Sequence, residues 1–296
     1  MIEHLVISGG GQTGLAFYGI LKAAEKQGFW KIDNIKSIYA TSVGSFLAVI
    51  LCLKYDWETI DTYLIHRPWH TIFKVDIYTI LKSFERRGIF GVDVMEKMLE
   101  PLLAGMDISL DVTLNEFYEK TQIDLVFCVT ELNELQRIKM SHSTHPDWRV
   151  VDAMYASCAL PIVLEPLMRD GKCYIDGGIM CNYPVRSCLD DGREPETIFG
   201  VKKGLSHHES VSGISTLYDY LMVVMKNVMR LLNNGHETGL IENELVFEGD
   251  HVTIDGLLSM ASSKEERETS IRMGEEAFAA WQRGVFPAVS GNVCSM

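Results

Sequence analysis

The chain has 296 residues, 47% of them hydrophobic and 23% charged, a composition typical of a globular protein and unlike that of a disordered one. Its 27 basic and 40 acidic side chains give a formal net charge of −13. Because such a charge repels phosphate backbones, we expect no nucleic-acid partner. The adjacent cations Arg86-Arg87 and Lys202-Lys203 are interpreted as solvated surface.

The spacing of the cysteines and the lengths of the apolar segments bear on the expected cellular location. Seven cysteines, none in a C-x-x-C pair, predict neither a disulfide framework nor a zinc site, and suit a reducing environment. The first residues lead into an apolar strand with no basic stretch or cleavage site. The longest uncharged apolar run, 46–53, is far shorter than the ~20 residues of a membrane span. We therefore expect a cytoplasmic or intracellular protein with no signal peptide or transmembrane segment.

The first part of the chain alternates predicted strands and helices. A strand at 4–8 is followed by Gly9-Gly10-Gly11 and by a helix that ends at Gln27-Gly28. A second strand at 35–40 turns into an apolar helix at 45–55. Strand, glycine turn and helix in repetition predict an α/β fold with a parallel sheet.

The remaining elements follow in the same order along the chain. The segment 57–120 is predicted to be mostly helical, and strands are predicted at 124–130, 137–141, 172–175 and 197–201. From 213 the pattern is helical, with an apolar stripe formed by Leu217, Leu221, Met225, Val228 and Leu232. We interpret this helix as a core element covering the sheet; the alternative is that its methionines line an acyl tunnel or enter a bilayer. With no linker evident, we expect one domain over 1–296, with a motif-bearing core at about 4–201 and a helical part at about 213–285.

The glycine-rich turn after the first strand has three interpretations. Gly9, Gly11 and Gly14 satisfy the G-x-G-x-x-G dinucleotide pattern between a strand and a helix. That pattern also requires an acidic residue at the end of the second strand, which here ends in Ala40-Thr41-Ser42, so nucleotide binding is disfavoured. Alternatively, the backbone N–H groups of Gly9 to Gly11 form an oxyanion hole. A simple tight turn is the third possibility.

A serine and an aspartate are the candidate catalytic pair. Ala40-Thr41-Ser42-Val43-Gly44 nearly matches G-x-S-x-G, the strand-turn-helix elbow that exposes a nucleophilic serine. None of the nine histidines has a convincing catalytic setting. Asp176-Gly177-Gly178 follows a predicted strand, at the carboxyl end where α/β active sites gather, although an ordinary Asp-Gly turn would read the same way.

Taken together, these ordered motifs resemble the patatin-like phospholipase family, whose pattern is G-G-G-x-R-G, then G-x-S-x-G, then D-G-G or D-G-A. Two further blocks match it: Ala156 to Pro161 as A-S-x-A-x-P, and Asn182-Tyr183-Pro184 after the aspartate motif. The resemblance covers about residues 4–201. Thr13 stands where the family usually has arginine, and Ala40 replaces the first elbow glycine.

The resemblance implies a three-layer α/β/α fold with a mostly parallel sheet. It also implies that Ser42 is the nucleophile and Asp176 the base of a catalytic dyad, with Gly9, Gly10 and Gly11 as the oxyanion hole. The supporting motif positions are Gly14, Ala40, Gly44, Gly177 and Gly178. A solvated aspartate is a weak base for a hydroxyl, and burial of Asp176 in an apolar pocket would raise its pKa and favour the proton transfer.

The implied activity is hydrolysis of fatty-acyl esters of phospholipids or related lipids through an acyl-enzyme, with no metal or cofactor. The implied partners are a lipid or phospholipid substrate and, transiently, a membrane surface. The alternative is a non-catalytic protein of the same fold that binds lipid or a partner protein, an alternative that Thr13 keeps open. A nucleotide-binding enzyme is the least favoured hypothesis.

Overall fold

The computed structural model describes residues 1–204, 216–233, 239–249 and 253–284. The first half contains β1 (His4–Ile7), α1 (Gly14–Lys26), β2 (Ser37–Thr41), α2 (Val43–Cys52), α3 (Trp57–His66), α4 (Ile77–Arg86), β3 (Gly88–Phe90), α5 (Val92–Ala104) and α6 (Leu114–Thr121). Next come β4 (Asp124–Glu131), β5 (Gln136–Met140), α7 (Val150–Cys158), β6 (Ile162–Leu164), β7 (Leu167–Arg169), β8 (Lys172–Asp176), α8 (Val185–Asp190) and β9 (Ile198–Lys203). The last elements are α9 (Leu217–Asn233), β10 (Glu244–Phe247), α10 (Ile254–Ser262) and α11 (Lys264–Gln282).

The central sheet has the strand order β10-β9-β1-β2-β4-β8-β7, and β5 also pairs with β4. The strands from β10 to β4 are parallel. In contrast, β5 and β8 run antiparallel to β4, and β7 runs antiparallel to β8. A separate parallel pair joins β3 and β6. The α/β prediction is confirmed: a mixed sheet, parallel over five strands, is flanked by helices.

Both faces of the central strands are buried, which explains their continuous apolar sequences. Leu5, Ile7 and Ile38 point into the larger core, which also contains α1, α2 and α7. The alternate residues Val6 and Tyr39 point into a smaller core on the opposite face, closed by α8 and by the segment around Ile241.

Two glycines allow α11 to pack closely on α1. A β-carbon at Gly19 would overlap the carbonyl oxygen of Ile271, and one at Gly274 would overlap that of Ala16. Beside this contact, the buried ammonium of Lys22 pairs with Asp61 at 2.8 Å and with Glu275 at 2.9 Å. The α11 helix is therefore attached to α1 by both backbone contact and charge.

The segment after 213 differs from the prediction in two ways. It includes a strand, β10, which extends the sheet beside β9. Helix α9 is present, but Leu217, Leu221, Val228 and Leu232 of the predicted core stripe are exposed. The inward face carries Met225 of that stripe together with Met222 and Met229, so the interpretation of the stripe as core is wrong for four of its five residues.

Two findings concern the cysteines and the helices. The six cysteines in the described ranges are buried free thiols, and Cys294 lies outside those ranges. Over the same residues, no helix has both the length and the hydropathy needed to cross a membrane.

Candidate active site

Ser42 occupies a strained turn between β2 and α2. Its backbone has φ 54° and ψ −127°, a conformation that costs an L-residue on the order of 1–3 kcal/mol and that is typical of functional sites. A β-carbon at Gly44 would lie 2.6 Å from the carbonyl oxygen of Ile7, so only glycine lets the start of α2 approach β1. Ala40 is fully buried. The local geometry is that of a nucleophile elbow.

The side chain of Asp176 faces the serine. Ser42 Oγ donates a hydrogen bond of 2.7 Å to Asp176 Oδ2, and the backbone N–H of Gly178 donates one of 2.6 Å to Oδ1. Burial raises the pKa of the Asp176 carboxyl to about 6, although the hydrogen bonds from Ser42 and Gly178 act to lower it. A carboxylate with this pKa is a better general base near neutral pH than a solvated aspartate.

Asp176 reaches Ser42 along a strand that runs the opposite way to β2. Because β8 is antiparallel to β4, Asp176 lies beside Val129, while Cys128 lies beside Thr41 on the other side of β4. The motif Asp176-Gly177-Gly178 predicts an aspartate at the carboxyl end of a strand in a parallel sheet. It is at such an end, but on one of the antiparallel strands.

Ser157 and Cys158 form hydrogen bonds to the backbone of Ser42. Ser157 Oγ accepts a hydrogen bond of 3.0 Å from the backbone N–H of Ser42 and donates one of 2.7 Å to the carbonyl oxygen of Cys128. The thiol of Cys158 donates to the carbonyl oxygen of Ser42 at 3.0 Å. These contacts give a physical role to the block 156–161, whose match in the sequence came without one.

The glycine-rich loop is tied to the segment after Asp176 by Asn182. The backbone N–H of Gly9 donates to the carbonyl oxygen of Asn182 at 2.9 Å, and Asn182 Nδ2 donates to the carbonyl oxygen of Gly9 at 3.2 Å. Within the part of the chain that is described, no group accepts a hydrogen bond from the N–H of Gly10 or Gly11. Of the three glycines assigned to the oxyanion hole, these two have their donors available, whereas that of Gly9 is occupied.

The other motif glycines are sites of close approach. A β-carbon at Gly14 would overlap the Val43 side chain, and one at Gly177 would overlap the carbonyl oxygen of Cys128. A β-carbon at Gly178 would lie 2.9 Å from Asp176 Oδ1. These glycines therefore allow the elbow and the aspartate loop to pack together.

Thr13 is buried and packs against Gly249, whose β-carbon, if present, would lie 2.7 Å from the threonine side chain. The space beside the glycine loop is thus taken by the segment after β10. A side chain as large as arginine at position 13 would have to displace that segment.

His4 and His142 contact groups away from the dyad. His4 bonds Ser37 at 2.7 Å, and burial lowers its pKa to about 4. His142 bonds Asp124 at 2.9 Å and stacks on Tyr118. None of the described histidines lines the cavities at Ser42; His207, His208, His236 and His251 lie outside the described ranges.

Two cavities meet at Ser42, Gly11 and Leu160, which line both. The first, of about 210 Å³, is apolar and extends between α2, α5 and α10, with Phe46, Phe73, Phe90 and Met98 in its wall. The second, of about 170 Å³, contains Asp176, Asn182, Lys203, Lys226 and Arg230 together with the inner methionines of α9.

The cations of the second cavity were not found from the sequence. The pair Lys202-Lys203 was interpreted as solvated surface, but both residues are half-buried, and Lys203 lines this cavity. Arg86 and Arg87 of the other basic pair are both exposed, as expected, and Arg86 pairs with Glu165 at 2.7 Å. Across the described ranges, no group of three or more His, Cys, Asp or Glu side chains is positioned to hold a metal ion.

Comparison with known proteins gives consistent matches. The sequence model of the family described as patatin-like phospholipase matches residues 5–189. The chain is 27% identical over 228 residues to the uncharacterized protein R571 of Acanthamoeba polyphaga mimivirus, over 75% of this chain and 74% of that protein. It is 25% identical over 185 residues to the probable lipid hydrolase 463L of Invertebrate iridescent virus 6, over 62% of each. Among solved structures, VipD from Legionella pneumophila aligns with a TM-score of 0.49 and 16% identity, over 93% of this chain and 67% of that one.

Proposed function

Because the chain belongs to the patatin-like phospholipase family, we propose that it hydrolyses fatty-acyl esters of phospholipids or related lipids, as a phospholipase A or lysophospholipase, with Ser42 as the nucleophile. The observation that carries the proposal is the 2.7 Å hydrogen bond from Ser42 Oγ to the buried carboxylate of Asp176. The strained elbow at Ser42 supports it, and so does the similarity to the probable lipid hydrolase of the iridescent virus.

The proposed reaction begins when Ser42 Oγ attacks the ester carbonyl carbon and its proton passes to Asp176 Oδ2. The negative charge on the carbonyl oxygen is stabilised by the N–H groups of Gly10 and Gly11. As the intermediate collapses, Asp176 returns the proton to the leaving alkoxide, which departs as the alcohol and leaves an acyl-Ser42 ester. Water then attacks this ester, with Asp176 again accepting and returning the proton. Every proton transfer is carried by Asp176, so the cycle uses no metal ion.

The two cavities suggest where each part of the substrate lies. Asp176 lines the second cavity and not the first. The leaving alcohol and the attacking water both exchange a proton with Asp176, so both belong in the second cavity. The acyl chain then occupies the first, whose apolar wall suits a hydrocarbon.

Contact with a lipid surface is the second part of the proposal. Helix α4 has no buried residue, and Ile77, Tyr78, Leu81 and Phe84 are 62–78% exposed. Exposed apolar side chains on an amphipathic helix, with cations beside them, are typical of a segment that lies in a membrane interface. Lys82 lies over the Tyr78 ring at 4.4 Å, and Lys74 and Arg87 flank the helix in the sequence. The helix directly precedes β3, whose Phe90 lines the first cavity, so contact there would bring lipid to the acyl site.

The test compares the wild type, Ser42→Ala and the control His142→Ala on a soluble short-chain ester and on phospholipid vesicles, with EDTA present. We expect Ser42→Ala to lose on the order of 10⁶ in turnover and His142→Ala to keep wild-type rates, because His142 contacts Asp124 and Tyr118 rather than the dyad. Loss of activity in EDTA would refute the metal-free cycle. A folded wild type inactive on both substrates would instead favour the non-catalytic alternative.

A further inference from the structure

The side-chain oxygen of Asn182 is a hydrogen-bond acceptor in the wall of the second cavity, beside the dyad. A β-carbon at Gly9 would lie 2.5 Å from Asn182 Oδ1 and 3.1 Å from Ser42 Cβ. A β-carbon at Gly178 would lie 2.8 Å from the same Oδ1 and 2.9 Å from Asp176 Oδ1. The width of one glycine position therefore separates Asn182 Oδ1 from each member of the dyad.

The hydrogen bonds around the Asn182 amide fix which of its two ends faces Gly178. Asn182 Nδ2 donates to the carbonyl oxygen of Gly9 and to Ser8 Oγ, both at 3.2 Å. Ser8 Oγ gives its own proton to the Gly9 carbonyl oxygen at 2.7 Å, so it can only accept from Asn182. The reversed amide would set Oδ1 against two oxygens that have no proton to give. Oδ1 is therefore the end that faces Gly178 and the cavity.

The oxygen can accept a hydrogen bond from a molecule bound at the dyad. The Nδ2 protons, the backbone N–H and the carbonyl oxygen of Asn182 are used by Ser8, Gly9 and Asn233. Among the residues that the structure describes, no N–H or O–H group donates to Oδ1. Asn182 is half-buried and Oδ1 is not enclosed by protein. Both lone pairs of this amide oxygen are thus available to a donor in the cavity.

Of the groups that exchange protons in the proposed cycle, the attacking water alone has a second proton. Its first proton passes to Asp176 Oδ2, and an acceptor for the second would aim a lone pair of the water at the acyl carbon. We propose that Asn182 Oδ1 is that acceptor and so orients the water that hydrolyses acyl-Ser42. This rests on the proposed function, because the acyl-Ser42 ester must form first.

The step adds water to the ester with every proton accounted for. The water oxygen bonds to the acyl carbon, and its first proton moves to Asp176 Oδ2. As the intermediate collapses, the bond from the carbon to Ser42 Oγ breaks, and Asp176 returns this proton to Oγ. The second proton stays on the product as that of the carboxyl group and is then lost to solvent. Asn182 holds the water through a hydrogen bond and takes no proton.

Methanol distinguishes this role from a structural one. When methanol attacks acyl-Ser42, its single hydroxyl proton passes to Asp176 and none is left for Asn182 Oδ1. Loss of Oδ1 therefore slows hydrolysis more than methanolysis. If Asn182 acts only through Nδ2, by holding Gly9 in place, its loss slows both reactions alike. The ratio of methyl ester to fatty acid is set after the acyl-enzyme forms, so it does not depend on the rate of acylation.

The experiment gives the full chain p-nitrophenyl butyrate at a fixed methanol concentration and measures p-nitrophenol, butyrate and methyl butyrate. We expect Asn182→Ala to raise the ratio of methyl butyrate to butyrate by about tenfold, the effect of one lost hydrogen bond. Asn182→Asp keeps an oxygen at this position, so its ratio should not rise even if both rates fall. The control Ser8→Ala removes one acceptor of Nδ2 and should leave the ratio within about twofold of the wild type.

A ratio that does not rise in Asn182→Ala overturns the proposal, including one that stays at zero because no methyl ester forms. So does an equal rise in Ser8→Ala, which would trace the effect to Nδ2. Should Asn182→Ala fail to unfold cooperatively in urea, Asn182→Ser takes its place, because a serine side chain ends one bond short of the Oδ1 position. Failure of the proposed function is distinct: the wild type would release no more p-nitrophenol than Ser42→Ala, and no acyl-enzyme would form.

Discussion

Replacing Asp176 by asparagine should make the protein more stable and inactive at once. In the folded chain burial raises the pKa of this carboxyl to about 6, against about 3.9 in an unfolded chain. A difference of about two pH units, at about 1.36 kcal/mol each, corresponds to about 3 kcal/mol. Because the folded pKa is the higher one, the native state is favoured when the carboxyl is protonated. This contribution is complete below about pH 4 and is lost as the pH rises through about 6.

Asparagine cannot ionise and keeps both hydrogen-bond partners. Its Oδ1 can accept from the Gly178 N–H, and its Nδ2 can donate to Ser42 Oγ, which then no longer has a base for its proton. We therefore expect Asp176→Asn to exceed the wild type in free energy of unfolding by about 1–3 kcal/mol at pH 8, and by little at pH 4. Turnover should fall by at least about 10⁴.

The assay is urea unfolding of both proteins at intervals from pH 4 to pH 8, with kcat/KM on a short-chain ester measured over the same range. The difference in unfolding free energy should grow from about pH 4 to about pH 6 and level off above that range. Wild-type kcat/KM should rise around a midpoint of about 6, the folded-state pKa. A wild type that is more stable than Asp176→Asn at pH 8 would refute the reasoning. It would mean that the hydrogen bonds from Ser42 and Gly178 outweigh the cost of burying the charge.

Three further changes test the support of the site and of the fold. Ser157→Ala leaves the half-buried N–H of Ser42 without its acceptor, so we expect a loss of about 1–3 kcal/mol in urea unfolding and a lower kcat at nearly constant KM. Ser45→Ala removes a neighbouring hydroxyl that does not touch Ser42 N, and it should leave kcat within about twofold. Aspartate at both Leu81 and Phe84 should abolish sedimentation with anionic vesicles while hydrolysis of a monomeric ester continues. Undiminished sedimentation would show that α4 is not the segment that binds lipid. Gly274→Ala should cost about 1–3 kcal/mol in thermal unfolding because its β-carbon overlaps the backbone of α1, and an unchanged melting temperature would contradict this packing.

The parts of the fold that the sequence predicts are those with a local cause. The strand, elbow and helix around Ser42 occupy consecutive residues, and a turn that needs small residues leaves a visible pattern. The antiparallel direction of β8 and the short strand β10 have no such local signal, because both depend on pairing with strands distant in the chain. Tertiary pairing decides them.

The same distinction applies to the site. The motif residues Ser42 and Asp176 are recognisable, but the use of the Gly9 N–H by Asn182 joins residues 173 positions apart and follows no spacing rule. For α9, periodicity predicts a helix from its leucines and valines, yet the inward face is set by what packs against Gly178. Met229 and Asn233 make those contacts, so the cations four and eight residues after Met222 turn inward with them.

The pKa of Asp176 depends on burial and on the number of hydrogen bonds that its carboxylate accepts. A carboxylate offers about four lone-pair positions, and within the described residues two donors occupy two of them, Ser42 Oγ and Gly178 N. Each additional donor would stabilise the ionised form, lower the pKa and weaken the base. The small number of donors therefore leaves the pKa near 6, at a cost in stability above that pH. The strained backbone at Ser42 is a second cost in stability that serves the site. With a relaxed φ below zero, Ser42 would no longer project Oγ between the two cavities.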